Sequence, residues 1–169
     1  MKFLLTLALP LYALDQATKW WIVKNIALSR GWPAVDPDSS IVIIPGWFDL
    51  VHWGNTGAAF SILRDNNPFF VVLSLVTLVG LLIANARGAF RDAWSRCGVG
   101  LLLAGILGNV TDRLIHKHVV DFLLFDLHVP FANPWPAFNV ADACICTAVG
   151  CFIIATIFET KVAADVRRL

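Results

Sequence analysis

The amino-acid sequence predicts an α-helical integral membrane protein, four transmembrane helices with a small β-sheet on one face. Three observations lead there. Apolar residues fill 58% of the 169 positions against 15% charged, and the mean hydropathy of +0.72 lies far from the soluble balance. Apolar runs of bilayer-spanning length, roughly 20 residues, recur along the chain. Between them lie two stretches rich in Trp, Pro, Asp and His, the first with a strand–turn–strand pattern.

The clearest span is residues 66–86, uncharged between Asp65 and Arg87. Residues 94–115 form another, with polar residues gathered at its ends, where long side chains reach the interface. Residues 138–158 are a third. The N-terminal run, 3–23, resembles a secretory signal in its Lys2 and the uncharged stretch up to Asp15, but "LYA" offers a cleavage site only Ala13, and apolar character resumes at Trp20, Trp21, Ile22 and Val23. A retained first helix is the expectation. Arg87, Arg91 and Arg96 in the short connection, with Lys2, Lys161, Arg167 and Arg168 near the termini, place both termini in the cytoplasm by the positive-inside rule. Residues 24–65 and 116–137 then face outward. The first contains two β-prone runs flanking Pro45-Gly46, so a surface β element is expected over about 41–64, its Trp47, Phe48 and Trp53 suited to the interfacial belt. No internal repeat is visible, and residues 1–169 read as one membrane-embedded domain.

A net charge of +1, with 13 basic residues scattered rather than massed, leaves no footprint for nucleic acid. Cys144, Cys146 and Cys151 share the last apolar run at spacings that cannot bridge within a helix, so cysteine usage does not report the redox compartment.

Polar residues inside spans are costly, and each asks for a partner or a task. Asp15 and Lys19 lie four apart, the separation at which helical side chains meet. In "GNVTDR", Asn109 and Asp112 share a face with Arg113 beside them, and "NTGAAF" from Asn55 is a polar turn followed by small residues. Asp142 has two readings: capping partner of Asn139 at the start of the last helix, or half of a carboxylate pair with Asp121 of "HVVDFLLFD". Two carboxylates in a poorly solvated site cannot both ionise easily, so such a pair is an acid and a base together. Asp126 could stand in place of Asp121. A metallopeptidase using His116, His118 and Asp121, or a transporter with a path along Asp15, Asp121 and Asp142, are the rival readings.

Five motifs in register, "DQATKWW", "NTGAAFSIL", "GNVTDR", "VVDF" and "FNVADACI", closely resemble the lipoprotein signal peptidases, the signal peptidase II family of bacterial membrane aspartyl peptidases. The resemblance implies four transmembrane helices with a periplasmic β-sheet, the β-cradle. It also implies an inner-membrane enzyme with its site near the periplasmic face, cleaving prolipoproteins just before a diacylglyceryl-modified cysteine, with sensitivity to globomycin-type inhibitors and contact with membrane lipids. Carried onto this chain, Asp121 and Asp142 are the catalytic pair, and Asp15, Lys19, Asn55, Gly57, Gly108, Asn109, Arg113, Asn139 and Ala141 support or line the site. Phe60, Phe122 and Phe138 are expected to line it for the lipid. Carboxylates and water suffice for this reaction, so no cofactor and no metal is expected. Ala143, where a small hydroxyl residue is common, and Asp126 in the connecting loop depart from the family pattern.

Overall fold

A computed structural model describes residues 2–29, 39–57, 63–129 and 134–166. Among these the order is α1 (Lys2–Asn25), β1 (Ser40–Ile44), β2 (Phe48–Asn55), α2 (Asn67–Ala86), α3 (Ala93–Ile115), β3 (Val119–Phe125) and α4 (Val140–Val166). Local chemistry sets several boundaries. Pro68 occupies the first turn of α2, where a missing N–H costs nothing. Asp92 caps α3, its Oδ1 accepting from the Ser95 N–H at 2.9 Å.

α3 is the central helix, packed against α1, α2 and α4. Ala8, Leu81, Val99, Leu103, Ala104 and Cys144 form the main interhelical cluster. The outward faces stay apolar: Leu9, Val72, Val76 and Ile153 are all more than half exposed, the pattern of helices solvated by hydrocarbon rather than water. Among the described residues three helices are long and apolar enough to cross a membrane, Asn67–Ala86, Ala93–Ile115 and Val140–Phe158. α1 has the length, at 24 residues, but Asp15, Gln16 and Lys19 make it less apolar than the other three.

The sheet runs β1-β2-β3, antiparallel throughout. Pro45-Gly46 makes the first turn, with Gly46 at φ +75° and the Trp47 N–H donating to the Ile44 carbonyl at 2.9 Å. That is the conformation a type II turn asks of its third residue, and glycine meets it without strain. The expected β element about 41–64 is thus a hairpin over 40–55, and residues 58–62 lie outside the described region. β3 was not expected: "VVDFLLF" is a short apolar run bounded by polar residues, and it pairs with β2 rather than forming part of a loop. Val120 and Phe122 pack the sheet onto Ile22 and Ile26 at the end of α1. The sheet therefore caps the end of the bundle where α1 and α3 finish and α4 begins.

Candidate active site

Asp121 lies mid-strand in β3, directly opposite Trp53 of β2. Beyond the other edge of β3, Phe138 behaves as a one-residue strand: its N–H donates to the Leu123 carbonyl at 3.1 Å and its carbonyl accepts from the Leu123 N–H at 2.8 Å. The next residue, Asn139, is thereby set beside Asp121. Its side-chain Nδ2 donates to Asp121 Oδ1 at 2.8 Å, to the Val120 carbonyl at 3.3 Å and to Asn109 Oδ1 at 3.2 Å. Asn139 also starts α4, its Oδ1 accepting from the Asp142 N–H at 2.9 Å while its own N–H donates to Asp142 Oδ2 at 3.2 Å. This is a reciprocal capping box. The capping and paired-carboxylate readings of Asp142 therefore describe one arrangement, because the same asparagine holds both acids.

The remaining oxygens are also held by neutral amides. Asp121 Oδ2 accepts from Asn55 Nδ2 at 2.9 Å, and Asp142 Oδ1 accepts from Asn109 Nδ2 at 2.8 Å. Burial pushes the Asp121 carboxyl well above the usual carboxylate range, and the adjacent Asp142 carboxylate pushes the same way; the bonds from Asn55 and Asn139 and the charge of Lys19 oppose them. Asp121 is 3% exposed, whereas Asp142 is only partly covered. Of the pair, Asp142 is the more exposed.

One shell out, Lys19 Nζ lies 2.9 Å from Asp15 Oδ2, 2.8 Å from Asp112 Oδ2 and 3.2 Å from Asn109 Oδ1, which occupies all three ammonium donors. Asp15 reaches across to α4, where its Oδ1 accepts from the Ala141 N–H at 2.8 Å, satisfying an otherwise orphaned helix donor. Gly108 makes this approach possible. A Cβ built there would lie 2.5 Å from Asp15 Oδ2 and 2.9 Å from the Ala141 Cβ. Asn55 Oδ1 accepts from the Gly57 N–H at 3.0 Å, and Arg113 Nη2 donates to the Gly57 carbonyl at 2.6 Å. The guanidinium also stacks over Phe70, 4.5 Å from the ring centroid.

All eleven residues singled out from the sequence thus converge at one end of the bundle. Three participants were missed there. Asp112 was noted only as a face-mate of Asn109. Gln16 donates to Asp15 Oδ2 and Asp112 Oδ1, both at 3.1 Å, and Asn67 donates to the Arg113 carbonyl at 3.1 Å. Apart from the Gln16–Asp15 contact, their partners at the site lie in distant sequence, and no local spacing announces them.

Asp126 does not compete for the site. It lies five residues further on, just past the end of β3, about 16 Å away at the usual strand rise, and its carboxylate lies 3.5 Å from His128 Nδ1. Phe122, expected to line the site, turns to the opposite face of β3 and packs on Ile22 and Ile26, as strand alternation requires. Phe138 stacks on Phe125, and Phe60 lies outside the described residues. His116, His118 and Asp121 are not gathered as metal ligands: the His118 ring covers Gly54, and among the described residues no three His, Cys, Asp or Glu side chains are so arranged. Asp15 is engaged by Lys19 and Ala141 rather than aligned with Asp121 and Asp142.

Comparison with known proteins points to one family. Residues 7–158 match the family model described as signal peptidase (SPase) II. The lipoprotein signal peptidase of Syntrophotalea carbinolica is 38% identical over 157 residues, 91% of this chain and 90% of its own length. That of Symbiobacterium thermophilum is 37% identical over 158 residues, 93% of this chain and 96% of its own. A solved bacterial membrane enzyme superposes with a TM-score of 0.81 at 27% identity, covering 95% of this chain and 90% of that one.

Proposed function

Because the chain belongs to the signal peptidase (SPase) II family of aspartic-type peptidases, we propose that Asp121 and Asp142 are the catalytic dyad with which it removes signal peptides from prolipoproteins, cutting just before the diacylglyceryl-modified cysteine. The observation that carries this reading is that two carboxylates from β3 and α4 hang on one asparagine, with only neutral amides bonded to them. A structural acid at this depth would be paired with a cation, as Asp15 is.

Burial holds a proton on Asp121 more tightly than in water, so Asp121 takes the acid role and the more exposed Asp142 the base role. Asp142 takes a proton from a water held between them as its oxygen attacks the scissile carbonyl, and Asp121 donates its proton to the carbonyl oxygen. The resulting diol collapses with the roles reversed: Asp142 gives its proton to the departing nitrogen, the carbon–nitrogen bond breaks, and Asp121 recovers a proton from the diol. Asn139, Asn55 and Asn109 hold both carboxylates in place throughout.

For the membrane setting, α1 serves as the fourth crossing. Its Asp15 and Lys19 are 1% and 3% exposed and neutralise each other inside the bundle, while Leu5, Leu9, Leu14, Trp20 and Trp21 face outward. With Arg87, Arg91 and Arg96 at the opposite end from the sheet, the termini lie in the cytoplasm and the dyad near the outer face of the inner membrane, as one domain. Lipid chains of the substrate remain in the bilayer beside the bundle.

The test compares a precursor carrying the diacylglyceryl group with the same precursor lacking it, using purified protein in detergent. Burial of each acyl CH₂ is worth about 0.8 kcal/mol, and placement of the scissile bond adds to kcat. The unmodified precursor is expected to react far more slowly even at saturation, and a globomycin-type inhibitor to stop the reaction. Equal rates, or a cut elsewhere, would contradict the assignment.

A further inference from the structure

Asp112 is 2% exposed and belongs to no role described so far. Its position is hard to explain as charge balance. Lys19 is already paired within α1 with Asp15, four residues earlier, and the neighbouring cation, Arg113, spends Nη2 on the Gly57 carbonyl, so no unpaired partner calls for a second buried acid, whose desolvation is costly. What Asp112 adds is connection. Its Oδ2 accepts from Lys19 Nζ at 2.8 Å and from the backbone N–H of Val120 at 3.0 Å, and its Oδ1 accepts from Gln16 Nε2 at 3.1 Å. Both oxygens are filled, and the carboxylate of α3 is tied to α1 and to β3 together.

Those two ties lead to the two acids of the dyad. Val120 immediately precedes Asp121, and both its backbone groups are held: Asp112 takes the N–H, and Asn139 donates to the carbonyl at 3.3 Å. Lys19 in turn donates to Asn109 at 3.2 Å, and Asn109 donates to Asp142 at 2.8 Å. One carboxylate is thus one peptide away from Asp121 and two hydrogen-bonded side chains away from Asp142.

We infer that Asp112 is a positioning residue for the peptidase reaction, fixing the height of β3 against α3 and α1, and thereby the separation and protonation of the Asp121–Asp142 pair. It touches neither the scissile bond nor the water, so it acts through Val120 and Lys19. This rests on the proposed dyad and adds to it an acid that sets the dyad's geometry.

The electrostatic consequence has a definite sign. Asp142 on α4, Lys19 on α1 and Arg113 on α3 act on Asp121 directly, and Asp15 on α1 and Asp112 on α3 flank Lys19. Removing the Asp112 charge leaves Lys19 less neutralised and the site less negative, so Asp121 ionises more easily. The alkaline limb of the rate profile, set by loss of the Asp121 proton, moves to lower pH.

Three forms are compared on the diacylglyceryl-modified precursor: wild type, Asp112→Asn and Asp112→Glu. Asp112→Asn, of the same size but uncharged, is expected to lower kcat about 10²-fold with KM unchanged, and to shift the alkaline limb downward. Asp112→Glu keeps the charge but displaces it, so kcat falls while the limb stays in place. A readout independent of turnover is the infrared carbonyl band of protonated Asp121, identified by its loss in Asp121→Asn; in Asp112→Asn its titration midpoint falls. Wild-type kcat and an unmoved band in Asp112→Asn would overturn the inference. So would a loss of activity matched by loss of folded protein, with limb and band unmoved. Should wild type itself fail to cut the precursor, the peptidase reading fails, and the infrared titration still decides the role of Asp112.

Discussion

α2 and α3 are both long, apolar and bundled side by side, yet they solve opposite problems. α2 buries only Phe70 and Leu81 and turns Val72, Val76 and Val79 outward. α3 buries a face running from Gly98 to Arg113 and carries Asn109, Asp112 and Arg113 in its last two turns. An apolar helix is cheap to place in hydrocarbon but brings no chemistry with it. A helix that brings polar groups must be enclosed by others, and close enclosure demands small residues at the contacts. The difference is one of neighbours as much as composition: α3 is polar where α1, α4 and the sheet can bond to it.

The largest expected effect comes from removing the cation that makes this enclosure tolerable. Lys19→Met leaves Asp15 and Asp112 buried without the cation that bridges them, and stripping one member from a buried ionic cluster costs about 3–5 kcal/mol. The variant should show a markedly lower unfolding midpoint in detergent and no cleavage; a midpoint near wild type would mean that the cluster is better solvated than its burial suggests.

Glycine substitutions compare the two helices directly. At Gly108 of α3 a methyl group meets Asp15 and Ala141, so Gly108→Ala should destabilise by about 1–3 kcal/mol and lower kcat by pushing Asp15 off the start of α4. At Gly80 of α2 nothing lies within 4 Å of the added carbon, and Gly80→Ala should be neutral or stabilising by up to about 1 kcal/mol. Thermal unfolding of both proteins checks the contrast, and equal shifts would remove it.

A smaller effect concerns protonation alone. Asn55 donates to Asp121 Oδ2 and favours its ionised form, against the upward push of burial and of Asp142. Asn55→Ala removes that bond, raises the Asp121 pKa further and should carry the alkaline limb of kcat to higher pH. A limb that stays fixed, or falls, would mean that Asp121 is not the group whose deprotonation ends activity.

The same contrast explains what could be read from the chain alone. Spans such as 66–86 announce themselves, because an apolar run answers to one solvent and needs no partner. Asp15 and Lys19 were legible as a pair because four residues on a helix bring side chains together; that Asp112 shares the lysine was not, since α3 lies some ninety residues away. β3 escaped notice because six apolar residues with one acid among them carry no period that separates strand from buried loop. The pairing with β2 is what makes them a strand, and that pairing turns Phe122 away from the site where Asp121 faces it. By spacing alone Asn139 offered a capping signature, the resemblance placed it at the site, and its bond to Asp121 appears once Phe138 lies along β3.

The central claim is that Asp121 and Asp142 together, and no third acid, perform the cleavage. The most direct measurement is turnover of the diacylglyceryl-modified precursor by Asp121→Asn, Asp142→Asn and Asp126→Asn, each checked for folding, with the new terminus identified by mass. The account predicts that the first two each lose about 10³-fold or more while staying folded, and that Asp126→Asn, just past the far end of β3, cuts before the modified cysteine at close to the wild-type rate. Substantial turnover by either Asp121→Asn or Asp142→Asn, or loss confined to Asp126→Asn, would contradict it.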